Sequence, residues 1–221
     1  MKKNLRVVAI VLARLGSKRF PGKVLAHLHG KALLMHVVDA ARKAESVDEV
    51  VVATSSKGGD DRLAIVAQDA GVSVFRGCES DVLARFVYAT HEYQADIAVR
   101  LTVDNPLVTA QIIDQVVYRH IETGADYTCN FLPSALPDGL EVEVLSRGSI
   151  DILAERAKTA EEREHVTRFI RTHQTEFHMQ NVVHVGVDHK ESISLSVDTP
   201  EDLLRVDEVY HSWKRVLAHV R

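Results

Sequence analysis

Apolar residues along this chain fall into short continuous runs separated by amphipathic stretches. Residues 6–12, 48–54, 72–75, 96–101 and 125–129 read as strands, the first as the wholly apolar Val7 to Leu12. Between them, residues 32–44, 60–70, 80–93 and 110–123 place apolar side chains at helical spacing. A strand buried on both faces reads as an unbroken apolar run, so the alternation predicts a mostly parallel sheet with helices on both sides and right-handed crossovers. The rhythm breaks after Asn130. Pro133, Pro137 and Gly139 punctuate a loop, and residues 140–145 alternate apolar and acidic side chains. Helices at 147–157 and 160–173 follow, so residues 130–171 are expected to leave the sheet as an excursion. Strands near 179–187 and 193–197 and a helix from about 200 return the chain to the main body. No internal repeat, low-complexity segment or long linker divides the chain, so residues 1–221 are read as one domain.

Composition narrows the class without choosing a function. A chain of 221 residues, 46% hydrophobic, can bury a full α/β core. A formal charge of −4 with no long basic tract argues against a general nucleic-acid binder, whose affinity needs many phosphate contacts. No cleavage-site pattern follows the N-terminal basic residues, and no apolar run is long enough to span a bilayer, so a soluble cytoplasmic protein is expected. Cys78 and Cys129 are too few for a disulfide scaffold. His27, His29, His184 and His189 lack a zinc spacing, and His36 lies on the apolar pattern of a helix.

The strongest chemical signal is Ala13 to Lys23, Ala-Arg-Leu-Gly-Ser-Lys-Arg-Phe-Pro-Gly-Lys. Gly16, Pro21 and Gly22 force irregular backbone after the first strand, while Arg14, Lys18, Arg19 and Lys23 supply cations, a combination suited to a polyphosphate. It is not a Walker A loop. Five residues separate Gly16 from Gly22, Val24 follows Lys23, and no Gly-x-Gly-x-x-Gly occurs in the loop. A solvated basic turn is the alternative reading. The second signal is Asp104, delivered by Leu101-Thr102-Val103 at the end of an apolar strand and followed by Asn105-Pro106. A carboxylate beside a phosphate site needs a bridging cation, and Mg²⁺ favours one or two carboxylates plus phosphate oxygens. A turn-forming aspartate is the alternative.

The loop pattern resembles the signature of the sugar-activating cytidylyltransferases, closest to the spore coat polysaccharide biosynthesis protein F group. The 3-deoxy-manno-octulosonate and acylneuraminate cytidylyltransferases are related. The resemblance continues through Val50 to Ser55, Val74 to Gly77, Asp81 to Phe86, Arg100 to Leu107, Pro137 to Val144, Glu162 to Thr167 and Val197 to Leu203. It implies a three-layer, Rossmann-like nucleotidyltransferase fold with a small dimerisation excursion. The implied reaction is transfer of CMP from CTP to a sugar, with an acidic sugar expected, in polysaccharide or glycan biosynthesis.

By that resemblance Arg14 and Lys23 hold the triphosphate, and Ala13, Gly16, Ser17, Thr54, Ser55, Arg76 and Thr102 surround the nucleotide. Asp104 and Asp198 are implied Mg²⁺ ligands, and Asp198 is also a plausible helix start before Pro200. Asp81 and Arg85 read equally well as ordinary helix residues. Asn130, Asp138, Glu141, Glu143, Arg163 and His165 are expected around the acceptor, with Arg163 facing an acid group, although Glu161 to His165 is equally readable as a charged helix face. The family motif usually has glycine where this chain has Val103, and Asn105 stands where Cys or Glu is frequent. Another NTP, a sugar phosphate acceptor or a non-catalytic nucleotide-binding role are the alternatives. The resemblance also implies a homodimer, with one apolar face of residues 140–145 expected to be exposed for pairing.

Overall fold

The computed structural model describes residues 5–134, 136–183 and 193–218. Strands β1 (Val7–Leu12), β2 (His27–Leu28) and β3 (Lys31–Ala32) open the chain, followed by helix α1 (Leu33–Lys43). Then come β4 (Glu49–Ser55), α2 (Asp61–Asp69), β5 (Ser73–Gly77), α3 (Val82–Glu92), β6 (Ile97–Thr102), α4 (Ala110–Thr123) and β7 (Tyr127–Cys129). The remainder is β8 (Glu143–Ser146), α5 (Arg147–Arg156), α6 (Ala160–Glu164), α7 (Arg168–Thr172), β9 (Met179–Asn181) and α8 (Pro200–Leu217). Seven strands form one sheet in the order β5-β4-β1-β6-β8-β7-β9.

The expected three-layer α/β architecture is present. β1 is buried along its whole length because β4 and β6 flank it in parallel and helices cover both faces. On one face Ala9 and Val11 pack with Leu34 and Val38 of α1, Ile113 of α4 and Val206 of α8. On the other, Val8 and Ile10 pack with Phe86 of α3, Leu153 of α5 and Ile170 of α7. His36 is buried as its helical position predicts; its Nε2 lies 2.9 Å from the Leu28 carbonyl oxygen, and burial lowers its pKa. Cys129 is buried and Cys78 exposed, both as free thiols. Among the described residues no helix is long and apolar enough to cross a membrane.

The second half departs from expectation in three places. Residues 140–145 do not expose an apolar face: β8 lies between β6 and β7, antiparallel to both, and Leu140, Val142, Val144 and Leu145 are buried in this chain's own core. The acids break the apolar pattern because Glu143, although buried, has partners across the strands. The helix expected over 160–173 is two short ones. Thr159 and Glu162 form a capping box at the start of α6, and at His165 the backbone turns extended, which carries Val166 and Thr167 inward. Residues 193–197 form no strand; the Leu195 amide donates to the Asp138 carbonyl at 2.6 Å and the Val197 amide to the Asp104 carbonyl at 2.8 Å. Of the strand expected at 179–187, β9 covers Met179–Asn181, and residues 184–187 lie outside the described residues.

Candidate active site

Register places the site. Leu12 at the end of β1 is paired with Thr102 at the end of β6, so the basic loop and Asp104 leave the sheet side by side at its carboxyl edge. The loop folds back on itself, with the Ser17 and Gly22 amides both donating to the Leu15 carbonyl at 2.9 and 3.1 Å. Gly22 holds a left-handed φ of 74°, a conformation costly for most other residues, before the single helical turn Lys23–Leu25. Asp60, buried at the start of α2, clamps the loop: one oxygen accepts from the Leu15 amide at 2.7 Å and the other from the Ser55 hydroxyl.

A cleft of about 360 Å³ opens over these strand ends, lined by Ala13, Arg14, Ser17, Lys23, Thr102, Asp104 and Asp198. Lys18, Arg19, Arg85 and Arg100 also face it, so cations outnumber acids. Arg85 is 2% exposed and donates to the Cys78 carbonyl at 2.5 Å; burial, with the Arg14 guanidinium nearby, lowers its pKa. Strong positive charge in a walled cleft focuses attraction for an anion.

At the floor of the cleft Lys23, only 6% exposed, donates from Nζ to Asp104 Oδ1 at 2.5 Å and to Asp198 Oδ1 at 3.1 Å. Arg19 holds the other Asp198 oxygen at 3.0 Å. Asp198 reaches this point because Val197 is tied to the Asp104 carbonyl. Thr199, not Asp198, caps α8, in a capping box with Asp202, which leaves the Asp198 carboxylate available. The two acids therefore share the Lys23 ammonium, with Arg19 also on Asp198, and among the described residues no cluster of three or more ligating side chains exists. Such a donor set fits Mg²⁺, which completes its coordination with phosphate oxygens and water.

A second cavity of about 250 Å³ shares Arg100, Thr102 and Asp104 with the first and is lined by Asp138, Glu141, Glu143, His165 and Arg171. Antiparallel register sets Glu143 opposite Arg100, and the two form an ion pair. Tyr127 donates to Glu143 at 2.6 Å. Burial opposes the Glu143 charge, yet Arg100, with hydrogen bonds from Thr167 and Tyr127, holds its pKa below the ordinary value. Glu141 behaves in the opposite way. Burial, reinforced by Asp138, raises it to about 7, while the Asn105 amide donates to its carboxyl at 2.7 Å. Gly139 makes this corner possible: a Cβ there would lie 2.3 Å from the Leu195–Ser196 backbone.

Several expected residues stand elsewhere. Thr54 is fully buried within β4, Ser55 is committed to Asp60, and Arg76 bonds the Ser55 and Lys57 carbonyls and pairs with Asp61. Gly16 shapes the loop without lining the cleft. Arg163 does not face the acceptor cavity, because Asp81, the cap of α3, takes its guanidinium at 2.6 Å. Asn130 is buried and holds the 140–142 backbone, donating to the Leu140 carbonyl at 3.0 Å and accepting from the Val142 amide at 2.9 Å. Asp60 and Arg100 were not anticipated as site residues; the sequence signals for Arg100 are a cation inside an otherwise apolar strand and its place at the start of the matching segment Arg100 to Leu107.

Known proteins share this architecture. A cytidylyltransferase from Leptospira borgpetersenii superposes with a TM-score of 0.85 over 98% of both chains, at 24% identity. CMP:2-keto-3-deoxy-manno-octonic acid synthetase complexed with CTP does so at 0.71 over 94% of this chain and 99% of that one, at 20% identity. In sequence, spore coat polysaccharide biosynthesis protein SpsF of Bacillus subtilis is 34% identical over 209 residues, 92% of this chain and 86% of SpsF. Residues 8–217 match the cytidylyltransferase family, and with the fold in agreement this chain belongs to that family of nucleotidyltransferases.

Proposed function

We propose that this enzyme transfers CMP from CTP to a sugar acid, releasing pyrophosphate, and so supplies an activated sugar for cell-surface polysaccharide. The observation that carries the reading is the Lys23 ammonium shared by Asp104 and Asp198 at the floor of a strongly basic cleft. That floor suits a metal-bound triphosphate. CTP is taken from the related synthetase complexed with it, and the polysaccharide role from SpsF.

In this reading the acceptor lies in the second cavity and the nucleotide in the first, with Arg100, Thr102 and Asp104 at their junction. An acceptor hydroxyl oxygen attacks the α-phosphorus; a new P–O bond forms as the bond to pyrophosphate breaks, and the hydroxyl proton leaves to solvent. Arg14 and Lys23 neutralise the departing pyrophosphate. Asp104 and Asp198 would hold Mg²⁺, which would withdraw charge from the phosphate. No covalent enzyme intermediate is needed, because positioning and fixed charge carry the chemistry. Arg100 and Arg171 face the acceptor cavity; Arg100 is paired with Glu143, and Arg171 is the guanidinium that would receive an acid group of the acceptor by charge-assisted hydrogen bonds.

The enzyme is read as a cytoplasmic homodimer, a part of the proposal carried by the family resemblance. Mass spectrometry of products from CTP and a panel of acidic, neutral and phosphorylated sugars tests the reaction. A CMP-linked acidic sugar is the expected product; a CDP-linked sugar would replace the acceptor class, since only a sugar phosphate yields it.

A further inference from the structure

In the proposed reaction Lys23 serves the triphosphate while Asp104 and Asp198 serve a divalent cation, yet here Lys23 sits between those same two carboxylates. Its Nζ is 2.5 Å from Asp104 and 3.1 Å from Asp198, and its side chain is 7% exposed against 41% and 32% for the acids. The acids open to the cleft while the ammonium lies beneath them. A metal ion on these same two oxygens would sit at contact distance from the ammonium, where their positive charges repel, and Arg19 already holds the other Asp198 oxygen.

We propose that Lys23 is a placeholder cation. It closes the Asp104–Asp198 pair to free divalent metal and yields it when a triphosphate draws the ammonium away, so that metal and nucleotide enter as one unit. This rests on the reading that the cleft takes a metal-bound triphosphate.

The local structure supports motion of the side chain alone. The Lys23 backbone is fixed by its N–H, which donates a hydrogen bond to the Phe20 carbonyl at 3.1 Å, and by the Ala26 N–H, which donates to the Lys23 carbonyl at 2.9 Å. Only the four-carbon stem need swing, and lysine suits this because its charge is a point on a flexible arm, unlike the planar fork of arginine. An ammonium leaving two carboxylates needs other anions to receive it. Besides Asp104 and Asp198 the cleft lining offers one acid, Glu164, against five other cations, Arg14, Lys18, Arg19, Arg85 and Arg100. Free metal therefore pushes Lys23 into a mainly cationic lining, whereas a triphosphate brings the anions with it. By linkage, whatever factor the nucleotide adds to metal affinity the metal adds to nucleotide affinity.

The test is a Mn²⁺ titration without nucleotide or sugar, read by electron paramagnetic resonance, on wild type, Lys23→Met and Lys23→Gln, each checked for folding by circular dichroism. Both variants are expected to bind Mn²⁺ at least tenfold more tightly than wild type, and Asp104→Asn added to either is expected to remove the gain. Unchanged or weaker Mn²⁺ binding by a folded variant overturns the proposal. Wild type carries the same test if the variants do not fold: the ¹⁵N-labelled Lys23 ammonium signal is expected to shift with Mg²⁺ and CTP together and to stay in place with millimolar Mg²⁺ alone. A full shift with Mg²⁺ alone overturns the placeholder. CTP-dependent pyrophosphate release by the same wild-type preparation reports the functional reading separately, so either idea can fail while the other stands.

Discussion

The Asp60 carboxylate accepts the Leu15 amide at 2.7 Å, tying the middle of the basic loop to the start of α2. Its second oxygen holds the Ser55 hydroxyl, so one buried acid joins three segments around the cleft. Asp60→Ala leaves the Leu15 amide and the Ser55 hydroxyl and amide without this acceptor, at a cost of about 1–3 kcal/mol of stability. The loosened loop is expected to raise KM for the nucleotide several-fold while the acceptor KM holds. Chemical denaturation and steady-state kinetics check both parts, and an unchanged nucleotide KM removes Asp60 from loop positioning.

Asp104→Asn and Asp198→Asn are expected to lower turnover by about two orders of magnitude or more, equivalent to about 2.7 kcal/mol of transition-state stabilisation, with the fold retained. Near-normal turnover of folded Asp104→Asn at limiting Mg²⁺ excludes it as a metal ligand.

Arg14→Ala and Lys23→Ala should weaken CTP binding far more than CMP binding, because their proposed contacts lie on the β and γ phosphates that CMP lacks. Each lost charge-assisted bond is worth about 1.5–3 kcal/mol. Calorimetry with both nucleotides decides, and equal losses for the two place these side chains elsewhere.

Glu141 ties stability to pH. Its ordinary value is 4.5 and burial, with Asp138 beside it, raises the folded value to about 7. The folded state therefore keeps a proton that the unfolded chain has released between those limits, and stability from this group is full below about pH 4.5 and lost as pH rises through 7. Glu141→Gln should flatten that decline, so its stability relative to wild type improves from pH 5 to pH 8. Parallel unfolding curves at both pH values would show that Glu141 titrates normally.

Leu145 and Val144 belong to the core rather than to an exposed pairing face. Leu145→Ala should cost about 2–5 kcal/mol, and Val144→Glu should unfold the protein instead of yielding a folded monomer. Light scattering at micromolar concentration is expected to give a wild-type dimer. A monomeric wild type rejects the dimer, and a folded, monomeric Val144→Glu would return the interface to this segment.

The parallel half of the fold was legible because strands buried on both faces appear as bare apolar runs, as in Val7–Leu12. β8 was not. Its acids suggest a solvent face, and nothing nearby in sequence reveals that Arg100, 43 residues away, and Tyr127 receive Glu143. The same distance effect divides the site. The basic loop with Arg14 and Lys23, and Asp104, could be singled out because they come after strand ends, whereas Asp198 was singled out only through the family resemblance, its place before Pro200 reading equally as a helix start. Arg163 carried an equally strong charge signal, but Asp81, brought close by the packing of α6 on α3, claims it. Local pattern locates the loops at a sheet edge; which charges there stay free for a ligand depends on partners supplied by the folded chain.

The central claim is CMP transfer from CTP to a sugar acid, and pyrophosphate release with each of the four NTPs tests it most directly. Acidic sugars, neutral sugars and sugar phosphates serve as acceptors, with Asp104→Asn as control. Release is expected with CTP and an acidic sugar and to be lost in Asp104→Asn. Tight binding of CTP and Mg²⁺ with no release across the panel, or equal release from another NTP, would contradict the account.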